Sequence, residues 1–322
     1  MSYFLFKRLL TLLVTLVATS VIVFALLEVL PGNAAQVLMG PDADPAAVAA
    51  KAAELGLDQP ALTRYAQWMS GLLQGDMGDS ASYGTPVSEL IAERLTLTAP
   101  LAVLAMLLTT AIALVVGVLA AARHNSASDV GLMTLAQLGI AIPNFWFAIL
   151  LILLFSVKLD WLASGGFDGW YWDDGVWRGL WEGLQALILP AVALAVVQAA
   201  ILARFTRSAV LEVLREDFVR TARAKGLSRS ATLWGHVLRN AMIPVITIMG
   251  VQFAELLAGT IVVENVFHLP GLGRLIFQSI ANRDVAVVRN GVLLLAAMVV
   301  IVNFVVDVLY AVIDPRVKTS AI

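Results

Sequence analysis

Six stretches of the sequence are apolar over a length that can cross a bilayer as a helix. They lie at about 9–30, 97–122, 130–157, 184–205, 241–263 and 291–313. A spanning helix needs about 20 predominantly apolar residues. The composition, 60% hydrophobic and 14% charged, is also more apolar than a soluble domain can bury. The sequence therefore predicts an all-α membrane protein with six transmembrane helices.

The basic residues predict the orientation of these spans. Lys7 and Arg8 precede the first run, which is too long for a signal-peptide core and lacks a small-x-small cleavage site after it. We therefore expect the first span to be retained. With the N-terminus inside, most of the 21 Lys and Arg residues fall in inner segments. Both termini are then cytoplasmic.

Residues 31–96 are polar and mixed, and they predict a small external subdomain. Asp44 followed by Pro45 marks the start of an Ala-rich helix that ends at Gly56. Asp58 and Pro60 start a second helix, which ends near Gly75.

Pro143 and Pro190 lie within the third and fourth spans, and Glu28 and Glu264 lie near the ends of the first and fifth. Pro143 is expected to kink the third span, and Pro190 to interrupt the fourth. Glu28 and Glu264 are expected near the outer ends of their spans, where hydration costs less.

The most charged segment runs from Glu216 to Asn240 and reads as two short helices. Gly226 is placed to end the first as a left-handed C-cap, and Ser228 to cap the second. One apolar face of the first helix is expected to carry Leu211, Leu214, Phe218 and Ala222. A basic helix–Gly–helix between two spans cannot lie in hydrocarbon. It predicts a docking surface in the cytoplasm.

Residues 217–227 closely resemble the cytoplasmic coupling loop of ABC-importer permeases, in the dipeptide/oligopeptide/nickel branch. This chain keeps Ala222, Gly226 and Leu238 of the general loop pattern. Similar signatures recur along nearly the whole chain. They are Leu-Gly-Leu-Asp at 55–58, Gly-Asp-x-Gly at 75–78, Pro-x-Phe-Trp at 143–146 and Pro-Gly-Leu-Gly at 270–273.

The resemblance implies a type I ABC importer permease fold with a helical periplasmic insertion after the first span. The expected parts are an N-terminal transmembrane helix at 1–30, the insertion at 31–96 and a permease core at 97–322. The core holds a coupling loop at about 208–240. The residues expected to couple to an ATPase are Asp217, Arg220, Thr221, Ala222, Arg223, Lys225, Gly226 and Leu227.

The resemblance also implies partners in the bacterial cytoplasmic (inner) membrane. These are a second homologous permease, two cytoplasmic ABC ATPase subunits or domains and an extracytoplasmic solute-binding protein. ATP and Mg are expected in the ATPases, with no cofactor in this chain. With these partners the chain is expected to form the translocation pathway of an ATP-driven importer for di- and oligopeptides or a similar small solute. Dipeptides, oligopeptides, glutathione, opines and nickel complexes all remain open as the exact substrate.

The sequence contains no motif typical of ATP binding, catalysis or metal binding. It contains no Gly-Lys-Ser or Gly-Lys-Thr, which argues against a P-loop. Its three histidines, His124, His236 and His268, are scattered without metal spacing, and it has no cysteine. A net charge of -2 gives no reason to expect nucleic acid. We therefore predict no catalytic residue, no metal site and no enzyme activity.

Polar residues inside the spans are the candidates for a pathway, because an uncompensated charge in hydrocarbon is costly. They are Asn144, Gln252, Glu255, Asn303 and Asp307. Glu255 either lines the pathway or is a packing residue, and Asp307 is better placed for a structural role. An alternative function, a proton-coupled secondary transporter, would use Glu255 and Asp307 as a relay.

Two outer segments are candidates for contact with a solute receptor. Five of the eight tryptophans lie between Asp160 and Gly183, which is also typical of an aromatic belt at the membrane interface. The receptor-contact candidates are Trp170, Trp172, Pro270 and Gly271.

Overall fold

A computed structural model describes residues 2–29, 34–40, 42–54, 56–167, 169–170 and 176–313. These residues are nearly all helical, and none of them lies in a named β-strand. The predicted all-α membrane fold is thereby confirmed. Among the candidate residues, Trp172 lies outside the described part of the chain.

The helices follow one another in a simple order. They are α1 (Ser2–Val29), α2 (Ala34–Met39), α3 (Pro45–Glu54), α4 (Ala61–Leu73), α5 (Val87–Ala122), α6 (Ala127–Ala141), α7 (Asn144–Leu151), α8 (Val176–Val213), α9 (Asp217–Ala224), α10 (Arg229–Thr232), α11 (Leu238–Val266), α12 (Leu272–Ala281) and α13 (Val285–Ile313). π-Helical turns follow α7 at Ile152–Lys158 and join α10 to α11 at Leu233–Val237.

Five of the six predicted spans are present as single helices. Within the described residues, five helices are long and apolar enough to cross a membrane, and a bent pair makes a sixth if it counts as one span. The pair consists of Ala127–Ala141 and Asn144–Lys158, which meet at 102°. Ile142 and Pro143 have extended backbones there. A proline disfavours helical geometry in the residue before it, so the third span is broken rather than gently kinked.

The expected interruption at Pro190 is wrong. α8 continues through Pro190 from Val176 to Val213. A proline inside a spanning helix removes one backbone hydrogen bond, and packing by neighbouring helices can compensate for it. Around Pro190, Leu189 and Ala191 are both fully packed, so the helix is held on both sides of the missing bond.

The chain forms two compact units. The first is built from Ala99–Leu269 with the start of α1 and the end of α13, and the second from Lys7–Thr98 and Pro270–Ile301. The expected division at residues 30 and 96 remains a prediction.

In the first unit, α8 is the central helix and packs against α6, α7 and α11. Small side chains allow this, since Ala193, Ala195, Ala199 and Ala203 of α8 are all buried. α5 also approaches closely, because Thr109 Oγ1 donates a 3.4 Å hydrogen bond to the carbonyl oxygen of Ala195.

In the second unit, the two helices predicted between residues 31 and 96 form at the expected places as α3 and α4. α12 is amphipathic and buries Leu272, Leu275 and Ile276 against Val87 and Val287 of its neighbouring helices. A loop closes over the start of α13 through Asp284. Its carboxylate accepts hydrogen bonds from Ser80 Oγ at 2.5 Å and from the backbone N–H of Ser82 at 3.0 Å.

The expectation that both outer glutamates are hydrated is wrong for Glu264. Its side chain is fully buried near the end of α11, beside the equally buried Val263 and close to Phe267. Glu28 remains partly exposed and forms an ion pair with Arg64.

Gly117 sets the distance between α5 and α8. A Cβ added there would lie 2.7 Å from the carbonyl oxygen of Ala203 and 2.7 Å from Thr206 Cβ. We expect Gly117→Ala to lower stability by roughly 1–3 kcal/mol, the usual cost of overpacking. The loss should appear as a lower midpoint of thermal unfolding for the purified protein.

Gly131 is the matched control, because it is also helical but has open space where a Cβ would lie. Gly131→Ala should be neutral or stabilising by up to about 1 kcal/mol, since alanine favours helices. Equal midpoints for the two variants would contradict the proposed close contact of α5 with α8.

Candidate functional site

The charged segment between α8 and α11 contains a helix with a defined stop. α9 ends in a Schellman motif, in which Gly226 N–H donates to Arg223 O at 3.0 Å and Leu227 N–H donates to Ala222 O at 3.3 Å. Gly226 has φ +91, in the left-handed region that glycine tolerates best. The predicted C-cap is present, and nothing lies within 4 Å of where its Cβ would be.

The second predicted cap is also present. Ser228 Oγ accepts a 3.2 Å hydrogen bond from the backbone N–H of Ala231 and starts α10. The helix it starts is not a separate short one, however. α10 continues through the π turn into α11, so that Arg229–Val266 forms one spanning helix of 38 residues.

The expected single apolar face of α9 is wrong in part. Leu211 belongs to α8, and a turn at 214–216 separates it from α9. Phe218 is exposed. The residue that anchors α9 is instead Val219, which is 1% exposed and packs in one core cluster with Val210 and Val237. The spacing of apolar residues did not reveal the turn, so the register of the face was misplaced.

The opposite side of α9 is open and basic. Arg220 is 80% exposed and lies 3.5 Å from the carboxylate of Asp217, which is 93% exposed. Arg223, Lys225 and the apolar neighbour Leu227 are exposed too. Thr221 Oγ1 donates to its own helix at Asp217 O, 3.1 Å away, whereas Ala222 is half-buried. α9 thus has one side chain in the core and a basic surface facing away from it.

An ion pair fixes the start of α6 to α8. Arg207 donates from Nε to Asp129 Oδ1 and from Nη2 to Asp129 Oδ2, both at 2.7 Å. The Asp129 side chain is 3% exposed and also accepts a 2.9 Å hydrogen bond from Asn125 N–H. His124 Nδ1 lies 3.0 Å from Arg207 Nη2. Sequence reasoning missed this pair, since 78 residues separate its partners.

Inside the membrane-spanning part, three polar side chains meet between α8 and α11. Gln252 Nε2 donates to Gln198 Oε1 at 3.1 Å and to Gln198 O at 3.0 Å, and Gln198 Nε2 donates to Glu255 Oε2 at 3.3 Å. Gln252 is 2% exposed, whereas Glu255 is exposed in this chain. Gln198 was not predicted, although a lone amide within an alanine-rich span is a signal that was available.

The remaining pathway candidates lie on neighbouring helices of the same unit. A Cβ at Gly259 would lie 3.5 Å from Asn144 Nδ2, and one at Gly250 would lie 3.2 Å from Asn303 Oδ1. Asn144 therefore neighbours the part of α11 that follows Glu255, and Asn303 the part that precedes Gln252. Asp307 is half-buried one helical turn beyond Asn303.

The receptor-contact candidates fall in different compact units, Trp170 in the first and Pro270 and Gly271 in the second. The Trp170 ring lies against Gly183, at the start of α8, because a Cβ there would come 2.3 Å from the ring. Trp170 also makes an edge contact with Phe167 at 5.3 Å between centroids. Gly271 is buried and precedes α12, while the Pro270 carbonyl accepts a 3.4 Å hydrogen bond from Arg94.

The fold and the exposed basic helix between two spans together define a class, the membrane-spanning permease subunits of ABC importers. The chain belongs to the family described as the binding-protein-dependent transport system inner membrane component, which matches residues 113–319. The N-terminal component of the same family matches residues 1–102. The chain is therefore a multi-pass inner-membrane protein and a permease subunit of an ATP-driven importer, which disfavours the proton-coupled alternative.

Relatives match the chain over its whole length. A putative peptide transport system permease protein of Brucella abortus is 42% identical, covering 99% of both chains. The glutathione transport system permease protein GsiC of Salmonella choleraesuis is 43% identical, with the same coverage. A solved structure of the MetNI methionine ABC transporter in inward-facing conformations has a TM-score of 0.58 at 19% identity. The match covers 70% of this chain and 96% of the solved one, and it shows the shared fold.

The ion pair between Asp129 and Arg207 should contribute much of the stability of the contact between the start of α6 and α8. Asp129→Asn leaves the guanidinium with a weaker partner, and we expect a loss of roughly 2–4 kcal/mol. Thermal unfolding of the purified protein measures it.

Glu182→Gln is the matched control, since Glu182 pairs with Arg178 at 2.9 Å in an exposed i,i+4 arrangement. Such surface pairs contribute about 0–1 kcal/mol. If both variants unfold at the same temperature as the wild type, the buried pair does not stabilise α6 against α8.

Proposed function

We propose that this chain, together with a second homologous permease, forms the membrane pathway of an importer for short peptides. The support for the substrate is the full-length similarity to relatives whose names specify peptide and glutathione transport. Glutathione is itself a small peptide, so both names describe one chemical class. The chain would supply no catalytic group, and ATP with Mg would be bound by two partner ATPases in the cytoplasm.

The coupling site would be α9 and the turn after it. The exposed side chains of Asp217, Arg220, Arg223 and Lys225 provide a charged surface for an ATPase. Thr221, Ala222, Gly226 and Leu227 would shape the helix and its stop. Because Val219 is embedded in the core with Val210 and Val237, a force applied to α9 would be passed to both α8 and α11.

The pathway would run beside the polar cluster of α8 and α11. Glu255 is exposed in the single chain although it lies within a spanning helix. A carboxylate facing lipid would be costly, so a second subunit or a water-filled pathway would have to cover it. Gln198 and Gln252 would hold its position, while Asn144, Asn303 and Asp307 would line adjacent helices.

The orientation that this requires has both termini in the cytoplasm. α9 would then lie inside, and the insertion with α3 and α4 would lie outside. A solute-binding protein would deliver substrate to the outer face, where Trp170, Trp172, Pro270 and Gly271 are its candidate contacts. The exposed tryptophans Trp161, Trp177 and Trp181 suit a membrane interface equally well.

The substrate is tested by purifying the importer with its solute-binding protein and identifying the bound ligand by mass spectrometry. We expect a short peptide, and ATP-driven accumulation of that peptide in proteoliposomes that contain both permeases, the ATPases and the binding protein. A non-peptide ligand, such as a nickel complex, would refute the substrate assignment.

Gly226 tests the coupling site. In Gly226→Val a β-branched residue must adopt the left-handed conformation, which costs roughly 1–2 kcal/mol, although its side chain meets no neighbour. We expect normal amounts of protein in the membrane but several-fold lower peptide uptake and weaker association with the ATPases.

Gly235→Val is the control, because Gly235 also has open space for a side chain but no positive φ. It should retain most of the uptake. Normal coupling in Gly226→Val would show that α9 and its stop do not transmit the ATPase motion.

Glu255 tests the pathway. The chain has no cysteine, so Glu255→Cys introduces a single thiol, which a water-soluble thiosulfonate reagent should modify. Leu256→Cys, at a neighbouring position that is 1% exposed, should remain unmodified. In Glu255→Gln, uptake of cationic peptides should fall roughly twofold to fivefold relative to anionic ones, as for a solvated ion pair. An unreactive thiol together with unchanged selectivity would make Glu255 a packing residue.

A further inference from the structure

The second unit contains a cavity of about 720 Å³ that the coupling and pathway residues do not use. Its walls come from the end of α1, from α3 and α4, from the Gly75–Gly78 turn and from the first turns of α13. Sites for small ligands usually measure about 300–1,000 Å³. The cavity is therefore large enough for a short peptide.

Within the described residues, Arg289 is a cation of this lining that forms no ion pair. The Arg289 guanidinium lies over the Trp68 ring, 5.3 Å from the centroid. Among the residues that the structure describes, its buried Nε has no hydrogen-bond partner, and it forms no ion pair. The other arginine of the lining, Arg64, is already paired with Glu28. A guanidinium placed in this way suits a carboxylate, which accepts two parallel hydrogen bonds.

The Trp68 ring under the Arg289 guanidinium is buried and fixed by hydrogen bonds. Trp68 is 4% exposed, and its Nε1 donates to Asn290 Oδ1 at 2.9 Å. Asn290 Nδ2 in turn donates to Met77 O and to Ala286 O, both at 2.8 Å. A Cβ at Gly78 would lie 3.9 Å from Arg289 Nη2, so the Gly75–Gly78 turn passes beside the guanidinium. This geometry gives the Gly-Asp-x-Gly signature a physical role.

The same lining offers two carboxylates. Asp76 Oδ1 accepts a 2.7 Å hydrogen bond from Gly78 N–H, which fixes the side chain. Asp58 is exposed and, within the described residues, has no hydrogen-bond partner. Apolar side chains, including Phe24 and Leu57, complete the wall. A ligand that is only anionic would leave these carboxylates uncompensated, whereas one with both charges would satisfy both groups.

We propose that this cavity binds a zwitterionic short peptide, with its carboxylate on Arg289 and its ammonium group toward Asp58 and Asp76. The proposal rests on the proposed function, since it names the chemistry by which the peptide importer recognises its cargo on the outer side. The site would hold the main chain of the peptide and leave its side chains against the apolar wall. It would therefore accept many sequences and discriminate by free termini.

The test measures peptide binding to the complete importer in nanodiscs, without the solute-binding protein. The probes are alanyl-phenylalanine, its C-terminal amide and its N-acetyl form. Their binding is measured by equilibrium dialysis at millimolar peptide concentration. We expect the amide to bind about tenfold more weakly than the free acid, because it loses one charge-assisted pair. The N-acetyl form should also bind more weakly, by a smaller factor.

Arg289→Gln should remove the difference in binding affinity between the free acid and the amide. Arg289→Lys should keep part of that difference. Arg178→Gln is the matched control, an outer arginine that does not line the cavity, and it should bind like the wild type. Equal binding of acid and amide, no binding of either, or an unchanged difference in Arg289→Gln would each overturn the proposal.

Uptake assays on the same preparations separate this proposal from the proposed function. If the importer with its binding protein accumulates peptides but the cavity shows no preference for free termini, only the cavity assignment fails. If no peptide is accumulated at all, the substrate class itself is wrong.

Discussion

The structure depends on one constraint, which is that a polar group within hydrocarbon finds no water and must be satisfied by the protein. The backbone meets it by forming helices, and the side chains meet it by pairing across α8 and α11. Gln198, Gln252 and Glu255 are held together for this reason. The same constraint is the reason for proposing that a pathway or a second subunit covers Glu255, which is exposed in the single chain.

α8 links the membrane-spanning part to the exposed basic helix α9. Its alanine-rich surface allows close packing of α6, α7 and α11, its last turns contribute Val210 to the cluster that anchors α9, and Arg207 ties it to the start of α6. These contacts differ in kind but fall on one continuous helix. A displacement of α9 would consequently reach the whole first unit rather than one neighbouring span.

Much of this architecture could be predicted because its signals are local. The six spans follow from apolar runs, and the caps at Gly226 and Ser228 follow from residue types at helix ends. The features that escaped prediction depend on distant partners or on tertiary packing. Asp129 and Arg207 meet across 78 residues, and Trp68 and Asn290 across 222. Pro143 and Pro190 read alike in the sequence, yet one breaks its helix and the other does not, because packing decides whether a lost hydrogen bond is tolerated.

The unbroken helix from Arg229 to Val266 has a mechanical consequence. Its 38 residues correspond to a rod of about 57 Å, longer than the hydrocarbon layer is thick. Glu255 lies roughly 39 Å along this rod from its Arg229 end. A tilt of about 5° pivoted at the tip would therefore displace Glu255 by roughly 3 Å, comparable to the length of a hydrogen bond. The π turn at Leu233–Val237, where the helical winding is wider, is the natural point of compliance. A displacement of the Arg229 end would thus reach Glu255 along one continuous helix, reduced by whatever bending this turn takes up.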